Sequence, residues 1–342
     1  MAFHYSPYDD LCIVFDQNRS LLSPFSSTTC FLTIPLYMAL FWGGRDEVLW
    51  EEGRKRKTEE VTANGKEADM TQGLEDVQRI AQDCGSDLAF VVNHSGGKDS
   101  TRMLGFVRKK FPEIPTYAVM ADTGFEHVSP ISAADFARAR CAEFGLELTV
   151  VRNPKRTFLE MVEQRGMFPS PQYRQCTSDL KRGPIDKFIR SLPHKVIVNC
   201  MGIRSEESHP RSRLSPLNRN EALSTQRRTV CNWLPIFDRT LSDVLAWHWA
   251  NAIRLHPVYV PEYHKDGTTG GYLRRFSCRV CIFSTDADLV AIHQHDSSAF
   301  HAVASLERKL KFTMRPGAGL VQIVEAHASR NNEEPRQQSF CF

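Results

Sequence analysis

A short apolar run, Leu88-Ala-Phe-Val-Val-Asn93, leads through His94 into Ser95-Gly96-Gly97-Lys98-Asp99-Ser100. An amphipathic stretch over 101–111 follows, with Met103, Leu104 and Val107 on one side. A strand that turns on two glycines into a helix leaves the first helical N–H groups without partners. Those groups and the helix dipole together attract an anion, and Lys98 adds a point charge. Glycine also lets backbone N–H groups approach phosphate oxygens closely. The pattern is not the Walker loop, which places four residues between its first glycine and Gly-Lys-Ser/Thr. The segment predicts a strand–loop–helix unit for phosphate, with a plain strand-to-helix turn as the bland alternative.

The flanking sequence repeats the same alternation. Short apolar runs at 116–120, 146–151 and 195–201 read as strands, and 71–83, 131–144, 157–164 and 184–191 read as helices. Strand–helix alternation predicts an α/β fold, a doubly wound parallel sheet with helices on both faces and ligand at the carboxyl ends of the strands. A helix at 241–252, entered by Asp238 and Thr240, precedes a glycine-containing loop at 260–275, and 287–309 returns to helix. The expected regions are an N-terminal extension at 1–69, a nucleotide-binding domain at 70–285, and a mostly helical C-terminal region at 286–342 whose tail frays from His327. The extension joins an apolar run at 30–42 to the charge run Glu51-Glu-Gly-Arg-Lys-Arg-Lys-Thr-Glu-Glu60, with no helical or strand period. It reads as poorly ordered, the alternative being an arm that docks residues 31–42 on a partner.

Composition narrows the class. The chain has 342 residues, 42% of them hydrophobic and 24% charged, which excludes collagen-like, fully disordered and coiled-coil proteins. A net charge of +3 is too small to argue for nucleic acid from global charge. The thirteen-residue run at 30–42 contains Pro35 and falls short of the roughly 20 residues a membrane helix needs. Asp9, Asp10 and Asp16 precede it, the wrong charge for a secretory leader. The expectation is a cytoplasmic protein without membrane contact. Ten cysteines are too few for a disulfide scaffold, and only Cys278 and Cys281 are closely spaced. Cys84, Cys141 and Cys200 read as core, and His293, His295 and His301 as surface or packing residues.

Ser95-Gly-Gly-Lys-Asp-Ser100 after the first strand resembles the pyrophosphate loop of the adenine-nucleotide α-hydrolase-like superfamily. Four later segments narrow the resemblance to the phosphoadenosine phosphosulfate (PAPS) reductase family. They are Ala121-Asp-Thr-Gly124, Cys176-Thr-Ser-Asp-Leu-Lys181 with Pro184, Gly202-Ile-Arg-Ser-Glu-Glu-Ser208 with Arg211 and Arg213, and Leu234-Pro-Ile-Phe-Asp238 with Thr240 and Asp243-Val244. The resemblance spans about residues 85–285 and implies a Rossmann-like fold. It implies a nucleotide site at Ser95 to Ser100, Asp122, Thr123, Gly124, Gly202, Arg204, Arg211 and Arg213, with Lys98, Asp99, Arg204 and Cys176 in catalytic roles. In chemical terms, Asp122 can hold a ribose hydroxyl, a metal or an amine, and Asp99 can bind Mg²⁺. Arginine forks suit phosphate or sulfate oxygens.

Two features depart from the reductases that reduce PAPS. Those carry a Glu-Cys-Gly-Leu-His tail, where this chain ends Gln338-Ser-Phe-Cys-Phe342, and their phosphate loop is degraded, where this one is whole. Both departures point to ATP cut between its α- and β-phosphates, as in the ATP-cleaving sulfurtransferase-type relatives. Cys176, Cys278 and Cys281 suit a 4Fe-4S cluster with one open site, or zinc with Cys231 as fourth ligand. A redox pair or packed thiols are the alternatives. A sulfur donor protein, a thioredoxin-like reductant and a nucleic-acid acceptor are the partners this chemistry implies. The competing functions are PAPS or adenylyl-sulfate reduction to sulfite, and a non-catalytic nucleotide-sensing or nucleic-acid-binding subunit of a DNA-modification or defence system.

Overall fold

The computed structural model describes residues 66–333, apart from 268, 269 and 277. The expectations for residues 1–65 and for the tail that contains Cys341 fall outside that range. Helix α1 (Lys66–Cys84) leads into β1 (Leu88–Asn93), and α2 (Lys98–Lys110), β2 (Thr116–Asp122), α3 (Ala133–Glu143), β3 (Leu148–Arg152) and α4 (Phe158–Arg165) follow. Then come α5 (Gly183–Ser191), β4 (Val196–Cys200), β5 (Leu217–Arg219), β6 (Thr229–Trp233) and α6 (Leu241–Ala250). The chain closes with α7 (Asp286–His295), α8 (Ser297–Leu310) and α9 (Leu320–Glu333). None of the helices described is long and apolar enough to cross a membrane.

The six strands lie in the order β3-β2-β1-β4-β6-β5. All neighbours are parallel except β5 and β6. From β1 the chain winds outward through β2 and β3, then returns to place β4 on the other side of β1. The order therefore reverses between β1 and β4, and the segments that follow these two strands flank the crevice where such sheets bind ligands. β1 is buried on both faces, as a central parallel strand must be. Phe90 and Val92 join Met103, Leu104 and Val107 of α2 and Ala137 and Cys141 of α3. Val91 faces the opposite side with Val119, Ile189 and Ile197.

The expected strands and helices are present, with five differences. α1 begins at Lys66, inside the expected extension, and α9 continues from Leu320 to Glu333 through the start of the tail expected to fray. Helical backbone begins at Gln175, eight residues before α5, because a π-helical turn at Ser178–Arg182 bridges Gln175–Thr177 to Gly183–Ser191. Such a turn relaxes the hydrogen-bond register and admits Pro184, which has no N–H to donate. Residues 287–309 form two helices, because Asp296 ends α7 and its carboxylate accepts from Ala299 N to open α8. Arg279 holds that carboxylate with bonds of 2.8 and 2.6 Å. Finally, β5 and β6 extend the sheet where no strand was expected; the polar Asn232 and the half-buried Thr229 and Cys231 obscure the period of β6.

Gly105 shows how closely the layers meet. A Cβ there would stand 2.5 Å from Trp247 Cζ2 of α6 and 3.2 Å from Phe144 Cε1. Glycine to alanine in a helix interior normally gains about 1 kcal/mol, but overlap with a packed indole costs roughly 1–3 kcal/mol. Gly105→Ala is expected to lower the melting midpoint by several degrees, and a rise would show that Trp247 can move aside.

Candidate active site

The crevice holds a cavity of about 610 Å³ floored by the phosphate loop and walled by Gly202, Arg204, Tyr259, Tyr263 and Phe276. Its strand ends are tied by an asparagine ladder. Asn93 Nδ2 donates to Asn199 Oδ1 at 2.7 Å and to the Cys200 carbonyl at 2.8 Å, and Asn199 Nδ2 donates to Asn232 Oδ1 at 3.0 Å. Within the loop, Gly96 takes φ +81°, and a Cβ there would meet the Ala133 carbonyl at 3.3 Å. This is the glycine the turn requires. Gly97 has an ordinary extended φ of −75° as the cap of α2. Gly202 lies on the loop backbone, where a Cβ would stand 3.2 Å from Ser100 N.

Lys98 is held on every side. Its N–H donates to Tyr259 Oη at 3.2 Å, and its carbonyl is 2.9 Å from His248 Nε2. Its ammonium lies over the rings of Tyr259 and Tyr263, at 5.1 and 5.6 Å, and 3.4 Å from Asp99 Oδ2. Cation–π contact of this kind keeps a desolvated charge in place. Arg204, only 5% exposed, donates from Nε to Asp99 Oδ1 at 2.6 Å and pairs with Glu206. Glu206 also accepts from Leu241 N at 2.6 Å, at the start of α6. Glu207, the other carboxylate of the cavity, accepts from Arg204 N at 3.0 Å and pairs with Arg211.

These contacts redistribute the expected roles. Ser95, Gly97, Lys98, Asp99, Ser100, Gly202, Arg204 and Arg211 line the cavity together, and Gly96 shapes its floor. Asp122, Thr123, Gly124 and Arg213 do not line it. Asp122 pairs with Arg152 and accepts from Gly124 N at 2.7 Å, and these bonds hold its carboxyl below the usual range although burial opposes them. The Thr123 hydroxyl donates to Glu126 at 2.7 Å. Gly124 turns at φ +73° against Thr157, and Arg213 faces His209 at 3.3 Å. Nor is Asp99 a ready Mg²⁺ ligand, because both its oxygens face cations. Glu207 is similarly engaged, so both carboxylates that line the cavity already face donors of the chain.

Cys176 lies outside the cavity, with Cys278 and Cys281 on the edge of the C-terminal core. The three thiols surround the ammonium of Lys181, which also lines the cavity. Cys278 foremost, then the Glu126 carboxylate and the other two cysteines, hold the Lys181 pKa above its usual value despite burial. Burial pushes the Cys278 thiol up to about 11, opposed by Lys181. Arg275 is a second link, lining both the cavity and the cleft over Cys278 and Cys281. Three soft thiols near a fixed cation offer ligand atoms that suit an iron–sulfur cluster with an open site, once metal binding deprotonates them. Among the described residues no three His, Cys, Asp or Glu side chains stand in ligating geometry. Zinc fits less well. Cys231 lies on β6 beside Arg219, Cys84 and Glu221, away from the other three thiols, and a closed zinc site then lacks its fourth ligand. Cys141 and Cys200 are buried and Cys84 is half-buried, as expected of packing thiols.

Lys181, Tyr259, Tyr263, Arg274, Arg275 and Phe276 were not singled out by sequence reasoning. Lys181 lies within a quoted motif, and the pair Arg274-Arg275 before Cys278 was the available signal for the others.

The sequence pattern of the phosphoadenosine phosphosulfate reductase domain family matches residues 89–270. An uncharacterized 37.8 kDa protein of Escherichia phage 186 is 24% identical over 271 residues, 66% of this chain and 77% of that protein. An uncharacterized protein of Methanocaldococcus jannaschii is 27% identical over 191 residues, 56% of this chain but 35% of its own length. Among solved structures, the phosphoadenylyl-sulfate reductase of Candida auris in complex with phosphate aligns with a TM-score of 0.36 at 16% identity, covering 53% of this chain and 80% of that one. The U34-tRNA thiolase NcsA of Methanococcus maripaludis, with its 4Fe-4S cluster, aligns with a TM-score of 0.36 at 16% identity, covering 80% and 84%.

Proposed function

The chain belongs to the phosphoadenosine phosphosulfate reductase domain family, and from that premise we propose an enzyme that binds ATP and cleaves it at the α-phosphate to drive sulfur transfer or adenylation. The observation that carries this reading is the unbroken loop Ser95–Ser100 at the floor of a cavity that Lys181 joins to three thiols. The loop N–H groups and the start of α2 would take the β- and γ-phosphates, with Lys98 set against them. An acceptor oxygen attacks the α-phosphorus, the bond to the β-phosphate oxygen breaks, and pyrophosphate leaves with its charge stabilised by these fixed donors. Arg204 acts through Asp99, holding its carboxylate so that the Lys98 ammonium stays in line with the loop. Arg211, Arg274 and Arg275 offer guanidinium groups at the rim. Asp99 and Arg204 are therefore positioning residues, and Lys98 is the group that touches the leaving phosphates.

Cys176, Cys278 and Cys281 would hold a 4Fe-4S cluster whose open iron accepts or supplies sulfur, with Lys181 balancing the charge of the thiolates toward the nucleotide. Anaerobic purification tests both parts. Pyrophosphate release from ATP is expected, with about four iron atoms per chain and a brown absorbance. Cys176→Ser, Cys278→Ser and Cys281→Ser should each remove the iron, while Cys231→Ser and Cys141→Ser retain it. An iron-free wild type would end the cluster reading and leave ATP cleavage standing on the loop alone. Sulfite release from PAPS or adenylyl sulfate with a thiol donor, without ATP turnover, would replace the proposal with a reductase.

A further inference from the structure

A second groove lies at the far end of α2, away from the proposed chemistry. It has a volume of about 700 Å³ and is formed by α2, the end of α3 and the end of α6. Lys109 lies eleven residues beyond Lys98, so the groove is about 16 Å along the helix from the phosphate loop at 1.5 Å per residue. Its cations are Arg102, Arg108, Lys109 and Lys110, and its rings are Phe106, Phe144 and Trp247. The one carboxylate, Glu143, is paired with Arg140 at 2.6 Å. At Ile253 the groove adjoins a second cavity of about 520 Å³, which adds Arg254, Lys265, one carboxylate, Asp266, and Trp249, a tryptophan 42% exposed.

The details point to a ligand with both phosphates and flat rings. The Arg102 guanidinium lies over Trp247 at 5.0 Å and over Phe106 at 5.6 Å, with Asp238, Asp243 and Arg239 as its charged neighbours. The Nε of Arg108 is buried without a hydrogen-bond partner. Cations in the last turn of α2 complement its dipole, which accounts for Arg108, Lys109 and Lys110. The dipole does not account for Arg102 a turn and a half earlier, for Arg254 and Lys265 on other segments, or for half-buried rings between them. The basic segment 204–228 holds six arginines with few aromatics; this groove combines both.

We propose that the groove binds single-stranded nucleic acid without sequence preference, phosphates on the lysines and Arg254 and bases against the exposed Trp249 ring and the Arg102 guanidinium plane that covers Trp247 and Phe106. A duplex hides its bases and fits only the charged half of this description. The inference does not depend on ATP cleavage, and its test contains no ATP.

The probes are fluorescein-labelled oligothymidylate and oligouridylate of about 15 nucleotides, within the span of known single-strand sites. They are titrated with the full chain by anisotropy from about 50 to 300 mM salt. Four phosphate contacts predict a slope of log K against log salt near roughly −3. The exposed double substitution Lys109→Glu/Lys110→Glu should weaken binding at least roughly tenfold and flatten the slope by about 1.4, lower the melting midpoint only by the few degrees that two reversed charges at a helix C-terminus cost, and leave pyrophosphate release unchanged. Trp249→Ala should weaken binding without altering the slope. A preference for one oligonucleotide identifies the sugar. The inference is overturned if neither oligonucleotide binds at low salt, if a duplex of equal length binds as tightly, or if the lysine reversal has no effect while Arg211→Ala abolishes binding.

Discussion

Lys98→Ala is expected to lower pyrophosphate release from ATP by about two to three orders of magnitude, the usual loss when one fixed charge facing a developing anion is removed. The fold should survive, because Arg204 still neutralises Asp99 and Tyr259 still accepts from the backbone N–H at position 98. The neighbouring glycines should separate cleanly. Gly96→Ala should also abolish nucleotide binding, since a Cβ at φ +81° is strained and meets the Ala133 carbonyl. At Gly97 a methyl group would make only ordinary contacts at 3.5 Å with Phe276, Ser95 and Tyr259, so Gly97→Ala should bind ATP with modest loss. Calorimetry with ATP and a pyrophosphate assay on the three variants decide the matter. Unchanged affinity and turnover in both Lys98→Ala and Gly96→Ala would remove the nucleotide from this loop.

Acid should unfold the protein well above the carboxylate range. Burial lowers the pKa of His94, His127 and His256 from 6.5 to about 4 in each case. These imidazoles stay neutral in the folded chain while the unfolded chain protonates them, so stability is full above pH 6.5 and falls as pH drops toward 4. A depression of that size corresponds to roughly 3 kcal/mol for each group, as an upper figure. Three such terms rival the whole stability of a typical domain, about 5–15 kcal/mol. Asp122 and Asp296, held below their usual range, continue the loss at lower pH, while Glu126, pushed upward by burial, opposes it. Urea midpoints should fall steeply between pH 6.5 and 4.5. His127 and His256 pack at 5.4 and 4.7 Å from Phe276, which walls the nucleotide cavity, so the cavity is expected to loosen in the same interval. A flat midpoint across that interval would show that these rings reach solvent in the native state.

The central half of the fold was legible because its signals are local. An apolar strand, a glycine turn and an amphipathic helix follow one another along 88–111, and each reads from its own neighbours. The same is true of the capping residues Thr157, Thr240 and Thr285, which open α4, α6 and α7 with their boxes. The strand order was not legible, since pairing β4 beside β1 is a choice among surfaces more than 100 residues apart. Within the candidate site, the sequence by itself determined the loop, the arginine at 204 and the pairing of Cys278 with Cys281 at close spacing. Only the tertiary structure decided what each group faces. It set Arg204 on Asp99, Tyr259 and His248 on the backbone of Lys98, and Lys181 among the thiols, and it left Cys231 on a different strand. The reason is physical. Chain-local patterns fix backbone conformation, whereas the partner of a buried charge is whatever the packed sheet brings within a few ångströms, and burial makes that partner decisive for its charge state.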